Sequence, residues 1–330
     1  QLWAALRVEG EQRWRLLRWG VLALVVTHGL GALALAGTSD RNIDGTEPAV
    51  SVALWQPAIP TREKFSERRQ AELPLRLRQA MDRSQQKGAE LLIAPEGTLP
   101  LKFKDAESGG LPLISGGFRW VDGQQRSSLL LLEPGIAGTS GSIDKHRLVP
   151  LGEWMPSFPA LAGLSAVGGL HPGEASRLWR WGGAPAAVAI CYEISNGTAL
   201  ARAVSDGAQW ILAAANLDPY PRLLQRQFLA LAQLRSLETA RPLLSVANTG
   251  PTAQIADSGV VQAELPAMRS GLLQTRLEPL RFSTPYVVWR EWPLWLLLLT
   301  ALTVLIGARP GSGLLPARTR PRKTPPPGQE

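Results

Sequence analysis

The sequence contains a single cysteine, Cys191, among 330 residues, and this excludes an intrachain disulfide. Its three histidines are scattered, and no cysteines stand at the spacing of metal ligands, so we expect no metal and no other cofactor. A glycine-rich phosphate loop and a dinucleotide-binding fingerprint are also missing. These absences leave two interpretations of Cys191: a small buried apolar residue, or a reactive thiol.

Acidic residues are scarce relative to basic ones. The chain has 27 Asp and Glu against 35 Lys and Arg, which gives a formal net charge of +8. A basic chain is compatible with nucleic acid, with an anionic membrane surface, or with basic flanks around membrane spans. The basic residues concentrate near the two ends and rarely interleave with the 12 tryptophans, so we expect membrane flanks and no nucleic-acid partner.

Two segments, Trp19–Ser39 and Trp292–Ala308, contain no charged residue. A helix that crosses a bilayer needs roughly 20 apolar residues, within a range of about 17–25. We therefore predict transmembrane helices over residues 19–39 and 291–308. Buried core helices are the alternative for both, and a signal peptide is a further alternative for the first. Three tryptophans are predicted to lie at the level of the lipid headgroups: Trp289, Trp292 and Trp295.

Arginine and lysine flank both apolar segments on their outer sides. Since cytoplasmic flanks carry an excess of these residues, we predict that residues 1–18 and a disordered tail, 309–330, are cytoplasmic. Residues 40–290 are then expected on the far side of the membrane, which for a bacterial cytoplasmic (inner) membrane is the periplasmic side. The chain does not begin with Met, and we expect it to be part of a longer, multi-pass protein with further spans upstream.

The segment between the spans alternates short apolar runs with amphipathic stretches. Strands are predicted at 50–55, 91–96, 111–118, 127–133, 186–191, 210–216, 242–250 and 252–259, and helices at 61–87 and 223–239. The last two strands are expected to form a hairpin. Buried strands with intervening helices indicate an α/β or a layered α+β domain.

Reactive side chains follow two of the predicted strands, with Glu96 in A-P-E-G-T and Cys191 in C-Y-E-I. Between them lies K-H-R-L-V-P-L-G-E, which contains Lys145 and Glu153, and after them comes L-R-S-L-E-T-A-R-P-L-L-S-V-A-N-T-G at 234–250. These motifs, in this order, resemble the nitrilase superfamily and, within it, most closely the apolipoprotein N-acyltransferase family. The resemblance covers about residues 48–290.

The resemblance implies an α+β fold, a nitrilase-like four-layer α-β-β-α sandwich flanked by transmembrane helices. It implies a catalytic triad in which Cys191 is the nucleophile, Glu96 the general base and Lys145 the third member. Three further residues match supporting or substrate-binding positions: Glu153, Tyr192 and Glu193. The segment 217–221, L-D-P-Y-P, departs from the aromatic-glycine sequence of many family members. We interpret Arg235 and Glu238 as a structural pair on one helix face.

The resemblance also implies a reaction. A fatty-acyl chain would move from a membrane phospholipid to the N-terminal diacylglyceryl-cysteine of an apolipoprotein, through a thioester on the cysteine, and the enzyme would act as a monomer. A membrane-anchored amidase of the same superfamily, using water in place of the amine, is the first alternative. A non-catalytic membrane scaffold that keeps the fold is the second. An inert thiol would favour the scaffold, whereas an enzyme's thiol should be acylated.

Overall fold

The structure is a computed structural model, and it describes residues 11–36, 48–60, 67–99, 110–150, 152–154 and 169–307. The chain divides into two compact units, residues 1–288 and residues 289–330. Much of the predicted basic flank, the polar stretch 40–47 that follows the first charge-free segment, and the tail 309–330 lie outside the described residues. The structure therefore does not test the predictions made for these segments.

The strands of the first unit are β1 (Val50–Gln56), β2 (Leu91–Ile93), β3 (Leu113–Val121), β4 (Gln124–Leu132), β5 (Gly141–Asp144), β6 (Leu178–Trp179), β7 (Ala186–Ile190), β8 (Trp210–Ala215), β9 (Leu243–Ala247), β10 (Thr252–Ile255), β11 (Val261–Leu265) and β12 (Gly271–Leu277). Its helices are α1 (Glu11–Ala36), α2 (Glu67–Gln86), α3 (Gly197–Ser205) and α4 (Arg222–Thr239), and a 3₁₀ helix covers Cys191–Ser195. Helix α5 (Pro285–Trp289) ends where the second unit begins, and that unit contains α6 (Trp292–Gly307).

The strands form two mixed sheets of six. One has the order β12-β1-β2-β3-β4-β5 and the other the order β11-β10-β9-β8-β7-β6. In the first sheet β1, β2 and β3 are parallel, and in the second β7, β8 and β9 are parallel. The carboxyl ends of parallel strands meet at one edge of a sheet, and this brings the residues after β2 and after β7 to comparable positions in the two sheets. Two mixed sheets with helices packed on their outer faces confirm the expected α+β fold.

Alternate residues of the central strands face two different apolar layers, as the two-residue period of a strand requires. In β1, Val52 and Leu54 pack with β7 and β8 residues in a cluster shared by both sheets, whereas Ala53 and Trp55 pack against α2. A third cluster joins the outer face of the second sheet to α3 and α4. Both faces of these strands are therefore buried, and this explains their almost uninterrupted apolar sequences.

The sequence located most of these elements. The hairpin predicted for 242–259 is confirmed, because β9 and β10 pair antiparallel. The helix predicted for 61–87 is observed as α2 over its described part, and that for 223–239 as α4. Four strands were missed, namely β5, β6, β11 and β12. They are the four edge strands of the two sheets, and their short or partly polar sequences carry too weak an apolar pattern to be recognised alone.

Helices α1 and α6 cover most of the two charge-free segments, and α1 begins at Glu11 instead of Trp19. Many of their described apolar side chains are exposed, among them Leu30, Leu33, Leu296 and Leu297. Within the described residues, no helix combines the length and the apolarity that a bilayer crossing requires.

Candidate active site

Glu96 lies in the turn that follows β2, at the carboxyl end of the first sheet. The turn passes directly over β3, where a Cβ on Gly116 would lie 2.4 Å from Glu96 Cα and 2.5 Å from the Pro95 carbonyl oxygen. Real Cβ atoms do not approach a backbone so closely, so this crossing requires glycine at 116. The glycine therefore determines where the Glu96 carboxylate is held, and only 8% of that residue is exposed.

Lys145 follows β5 and is completely buried. Its backbone is held from two sides, because its N–H donates to the Ser127 carbonyl and its own carbonyl accepts from the N–H of Gly173, each at 2.8 Å. Its ammonium group donates to Glu96 Oε1 at 2.9 Å and to Glu153 Oε1 at 2.7 Å. A buried cation needs such partners, since desolvation without them is very costly.

The electrostatics of Lys145 follow from these contacts. Burial alone would lower the pKa of its ammonium group, but the negative charge of Glu96, together with Cys191 and Glu153, outweighs burial and raises that pKa above its ordinary value. Lys145 therefore stays protonated at every physiological pH. It presents a fixed positive charge in the interior of the protein.

Asp144, the residue before Lys145, forms a cluster of ion pairs on the other side of the backbone. Its carboxylate accepts from Arg119 at 2.5 and 2.7 Å, from Arg126 at 3.1 Å and from the Ser128 hydroxyl at 2.8 Å. Burial would raise the pKa of Asp144, yet these hydrogen bonds dominate and hold it below its usual range. The cluster fixes β5 against β3 and β4 just before the chain enters the site.

Cys191 lies immediately after β7, at the first position of the 3₁₀ helix, with φ of +54°. A non-glycine residue at positive φ is strained and uncommon, and such residues concentrate at functional sites. The sharp bend ends the strand and places the thiol at the inner end of the site, with the residue 7% exposed. This bend explains why the apolar sequence of the strand gives way to C-Y-E at this point.

The thiol is protonated at rest. Burial raises the pKa of Cys191 far above its ordinary value, and the charge of Glu96 and a hydrogen bond to Glu96 act in the same direction, while Lys145 opposes them. Lys145 alone would lower the thiol pKa. The net shift of the thiol pKa is nevertheless upward, because a cysteine so deeply buried is desolvated and also faces two carboxylates.

Glu193 connects the segment of Lys145 to the segment of Cys191. Its Oε1 accepts from the N–H groups of His146 and Arg147 at 2.8 and 3.0 Å, and its Oε2 accepts from the N–H of Ile190 at 2.9 Å. Arg177, buried like Glu193, lies 3.4 Å from Oε2 and donates to the Asp144 carbonyl at 2.8 Å. Glu193 and Arg177 together fix the distance between the cysteine and the lysine.

The second oxygen of Glu96 is held from the opposite sheet. The N–H of Asn216, directly after β8, donates to Glu96 Oε2 at 3.1 Å. The Asn216 side chain in turn accepts from Asn248 Nδ2 at 2.7 Å, and Asn248 also bonds the backbone of Ile59 in both directions. The two asparagines thus tie Glu96 to the second sheet.

The six predicted site residues lie in one region of the structure, each held there by its own contacts. Lys145 contacts both Glu96 and Glu153 directly, and Glu96 acts on the pKa of the buried thiol of Cys191. The Tyr192 ring lies under the Arg147 guanidinium, 4.9 Å from its centroid. Arg235 and Glu238 do pair, at 3.2 Å.

Sequence reasoning missed Arg177, Asn216 and Asn248. Asn248 stands in the conspicuous N-T-G of 234–250, and Asn216 ends a predicted strand, so both had a signal. Arg177 had none, because a single arginine in a polar stretch resembles any surface arginine.

A family model described as carbon-nitrogen hydrolase matches residues 105–281. The chain belongs to the carbon-nitrogen hydrolase family. The matched residues include Lys145, Glu153 and Cys191 but begin after Glu96, which contacts Lys145 at 2.9 Å.

Two curated relatives show more specifically which members of the carbon-nitrogen hydrolase family the chain is similar to. It is 54% identical over 303 residues to a protein of Prochlorococcus marinus (strain MIT 9313), and 51% identical over 294 residues to one of Parasynechococcus marenigrum (strain WH8102). Both are named apolipoprotein N-acyltransferase. The alignments cover 91% and 88% of this chain and 60% of each relative, so the chain spans about 60% of the length of the curated relatives it matches.

Solved structures of carbon-nitrogen hydrolases share the fold. An amidase from Nesterenkonia sp. superposes with a TM-score of 0.53 at 19% identity, over 76% of this chain and 96% of the amidase. Saccharomyces cerevisiae Nit3, of the nitrilase superfamily, gives a TM-score of 0.53 at 14% identity, over 70% of this chain and 90% of Nit3. At this level of identity the likeness concerns the fold alone.

Proposed function

We propose that the protein is an N-acyltransferase that moves a fatty-acyl chain from a phospholipid to the N-terminal amine of a diacylglyceryl-cysteine on an apolipoprotein. The observation that carries the proposal is the placement of a buried cysteine beside a glutamate and a lysine that are hydrogen-bonded to each other, in a chain 54% identical to a protein named apolipoprotein N-acyltransferase. Cys191 acts as nucleophile, Glu96 as general base and Lys145 as the cation of the site.

The first step is acylation of Cys191. Because burial keeps the thiol protonated, Glu96 takes the proton as the sulfur attacks the ester carbonyl carbon. A carbon–sulfur bond forms, the ester carbon–oxygen bond breaks, and Glu96 returns the proton to the leaving glycerol oxygen. The acyl chain is then held as a thioester, and the lysophospholipid departs.

The second step is aminolysis of the thioester. The α-amine of the acceptor attacks the thioester carbonyl, and Glu96 removes a proton from the attacking nitrogen. The carbon–sulfur bond breaks, an amide forms, and the proton passes from Glu96 to the sulfur. The thiol and the carboxylate are regenerated, so the two steps balance without any further reactant.

Negative charge develops on the carbonyl oxygen in both steps. Lys145 is protonated and fixed by two carboxylates, so it offers a preorganised positive charge there. The N–H of Tyr192 is the second donor, since it lies in the first turn of the 3₁₀ helix, where N–H groups lack helical partners. One such donor is typically worth about 2.7–4 kcal/mol of barrier. Glu153 orients the ammonium, and Glu193 holds the two loops together.

The proposal includes a location in the bacterial cytoplasmic membrane, with residues 40–290 on the periplasmic side. Support comes from the charge-free segments 19–39 and 292–308 with their basic outer flanks, and from the exposed leucines and valines of α1 and α6. Both substrates are lipids, so an enzyme held at the bilayer meets them by lateral diffusion. An exposed apolar helix surface in water would instead favour aggregation.

A membrane-anchored amidase is the second candidate. The buried cysteine, glutamate and lysine favour it, since water in place of the amine would complete the same thioester chemistry. A soluble amide gives no reason for apolar flanking helices, and the identity to proteins named acyltransferase exceeds the identity to the Nesterenkonia amidase almost threefold. A scaffold without catalysis would not need Glu96, Lys145 and Glu153 buried around a thiol.

The transfer itself is tested by incubating the full chain in phospholipid vesicles with a synthetic peptide that begins with diacylglyceryl-cysteine. We expect the peptide to gain one fatty-acyl mass in an amide that resists hydroxylamine, and Cys191→Ser to abolish the gain. Release of free fatty acid at the same rate with and without the peptide would instead identify an esterase. Formation of neither product would contradict the acyltransferase, and ammonia release from a simple amide such as acetamide would then identify the amidase.

A further inference from the structure

The turn 217–221 connects β8 to α4 and carries the L-D-P-Y-P sequence that no step of the proposed chemistry uses. It follows Asn216, whose N–H donates to Glu96 Oε2 at 3.1 Å. Leu217, the first residue of the turn, has φ of +58°. A non-glycine residue is strained at positive φ and keeps that conformation only where neighbouring contacts hold it. The contacts that hold this turn therefore determine how firmly the Asn216 N–H stays directed at the general base.

Gln225, in the first turn of α4, supplies such contacts. Its Nε2 donates to the Leu217 carbonyl at 3.1 Å and to the Tyr220 carbonyl at 3.1 Å, so one amide group bridges the turn. The Tyr220 N–H also donates to the Leu217 carbonyl, at 3.2 Å. Because only 3% of Gln225 is exposed, water does not compete for the two hydrogen bonds of its side chain.

The surroundings of Gln225 show what its amide group is for. Its Oε1 is buried and has no hydrogen-bond partner within the part of the chain that the structure describes. The residue lines a cavity beside Cys191 together with the apolar side chains of Phe228 and Leu229. A buried, unpaired amide oxygen costs free energy, and an apolar residue of the same shape would avoid that cost. Only the Nε2 group, which holds the turn, accounts for a glutamine here.

We infer that Gln225 is a positioning residue that fixes the general base Glu96 through the turn 217–221, and this inference rests on the proposed function. The path is short and every link is a bond: Gln225 holds the Leu217 carbonyl, Leu217 follows Asn216, and the Asn216 N–H holds Glu96 Oε2. The other oxygen of Glu96 accepts from Lys145. With both oxygens held, the carboxylate keeps one orientation towards the thiol whose proton it takes.

Gln225→Met removes both donors and keeps the length of the side chain. We expect single-turnover acylation of Cys191 by phospholipid to slow by about 5- to 20-fold at neutral pH, because Lys145 still holds one oxygen and a full misplacement of about 1 Å can cost about 100-fold. Gln233→Met is the matched control. Gln233 belongs to the same helix, and its Nε2 donates at 2.9 Å to the Gly259 carbonyl, in the connection between β10 and β11, so this variant should acylate at the wild-type rate.

A double-variant cycle shows whether Gln225 acts through Glu96. In a Glu96→Gln background the base is already lost, so Gln225→Met should slow acylation no further, since residues that act as a unit are not additive. Alkaline pH should also restore part of the rate of Gln225→Met alone, as expected for Glu96→Gln. Thermal melts report folding. If Gln225→Met does not melt cooperatively, Gln225→Glu, which keeps the shape of the side chain and at most one donor, takes its place in the same cycle.

The rates are measured by rapid quench and intact mass on the full chain in phospholipid vesicles. Equal fold-losses in the wild-type and Glu96→Gln backgrounds, or a loss in Gln233→Met as large as in Gln225→Met, would overturn the inference and leave the thioester mechanism standing. Absence of any acyl-enzyme in wild type would overturn the proposed function and the inference together.

Discussion

Lys145 and Glu96, 49 residues apart in the chain, are joined by a hydrogen bond of 2.9 Å between Nζ and Oε1 at a position where the lysine has no exposed surface. Glu153 contacts the same ammonium group at 2.7 Å. One cation therefore balances two carboxylates, and the thiol of Cys191 lies beside an excess of negative charge. The protonation state of the cysteine depends on this balance, and it responds in opposite directions to the loss of either partner.

The first prediction concerns the thiol pKa. Glu96 raises the pKa of Cys191 and Lys145 lowers it, so Glu96→Gln should shift that pKa down and Lys145→Met should shift it up, relative to wild type. The rate of alkylation by iodoacetamide, measured against pH, reports the thiolate fraction. We expect the alkaline rise in rate to begin at a lower pH in Glu96→Gln than in wild type and at a higher pH in Lys145→Met.

The same variants separate catalytic roles. Alkaline pH should restore part of the acylation rate in Glu96→Gln, because solvent then generates the thiolate that the missing base no longer forms. Recovery should be poorer in Lys145→Met, since the charge that stabilises the oxyanion is still lost. Coincident pH profiles for the two variants would show that Lys145 is not the oxyanion cation.

The second prediction tests how Glu96 is positioned. In Gly116→Ala the new Cβ meets backbone atoms at 2.4–2.5 Å, and backbone cannot move aside cheaply. In Gly117→Ala the new Cβ meets Leu130 Cδ1 at 2.9 Å, the end of a flexible side chain. We expect Gly116→Ala to cost about 1–3 kcal/mol of unfolding free energy and most of the acylation rate, and Gly117→Ala to cost clearly less of both. Thermal melts and single-turnover rates would compare them, and equal losses would contradict the crossing as the decisive contact.

The third prediction concerns stability in acid. Hydrogen bonds from Arg119, Ser128 and Arg126 hold the pKa of Asp144 below its value of about 3.9 in the unfolded chain. A depressed carboxyl pKa contributes stability that is present above the unfolded value and is lost as pH falls through the folded value. Asp144→Asn should therefore lower the unfolding free energy at pH 7 by about 1.5–3 kcal/mol.

Below pH 4 the difference between Asp144→Asn and wild type should shrink, since the wild-type carboxyl becomes protonated there. Urea titrations at several pH values measure it. A difference that stays constant down to pH 2 would mean that the ion pairs around Asp144 add no stability.

Much of this site could be predicted from the sequence, because its residues stand in short motifs. Glu96 and Cys191 each follow a buried strand, and a run of apolar residues that stops at a reactive side chain is visible without a structure. Lys145 and Glu153 stand in one short motif, and their eight-residue separation is closed by the loop that bonds Glu153 Oε2 to the Val149 N–H at 2.9 Å. Residues that are close in sequence and chemically unusual can be found this way.

Other features depend on contacts across the fold, and the sequence did not reveal them. Arg177 reaches Glu193 from the position just before the two-residue strand β6, and Gly116 is required only because another turn crosses it. The raised pKa of Cys191 depends on how completely the thiol is buried. A motif identifies the charged residues near a group. It does not show whether their effect on the pKa of that group exceeds the effect of burial.

The fourth prediction tests the membrane topology that the basic flanks indicate. A reporter fused after Glu330 should be active only in its cytoplasmic form, and one inserted near Ser108 only in its extracytoplasmic form. The reverse pattern would place the thiol in the cytoplasm and exclude maturation of exported lipoproteins. Extraction of the full chain by alkaline carbonate would contradict membrane insertion altogether.

The fifth prediction, a fatty-acyl thioester on Cys191, tests the central claim most directly. The full chain is incubated with phospholipid vesicles and analysed by intact-mass and peptide mass spectrometry. The account predicts one added fatty-acyl group on Cys191, removed by hydroxylamine, absent from Cys191→Ser and strongly reduced in Glu96→Gln. An unmodified Cys191, or an acyl group found on a different residue, would contradict it.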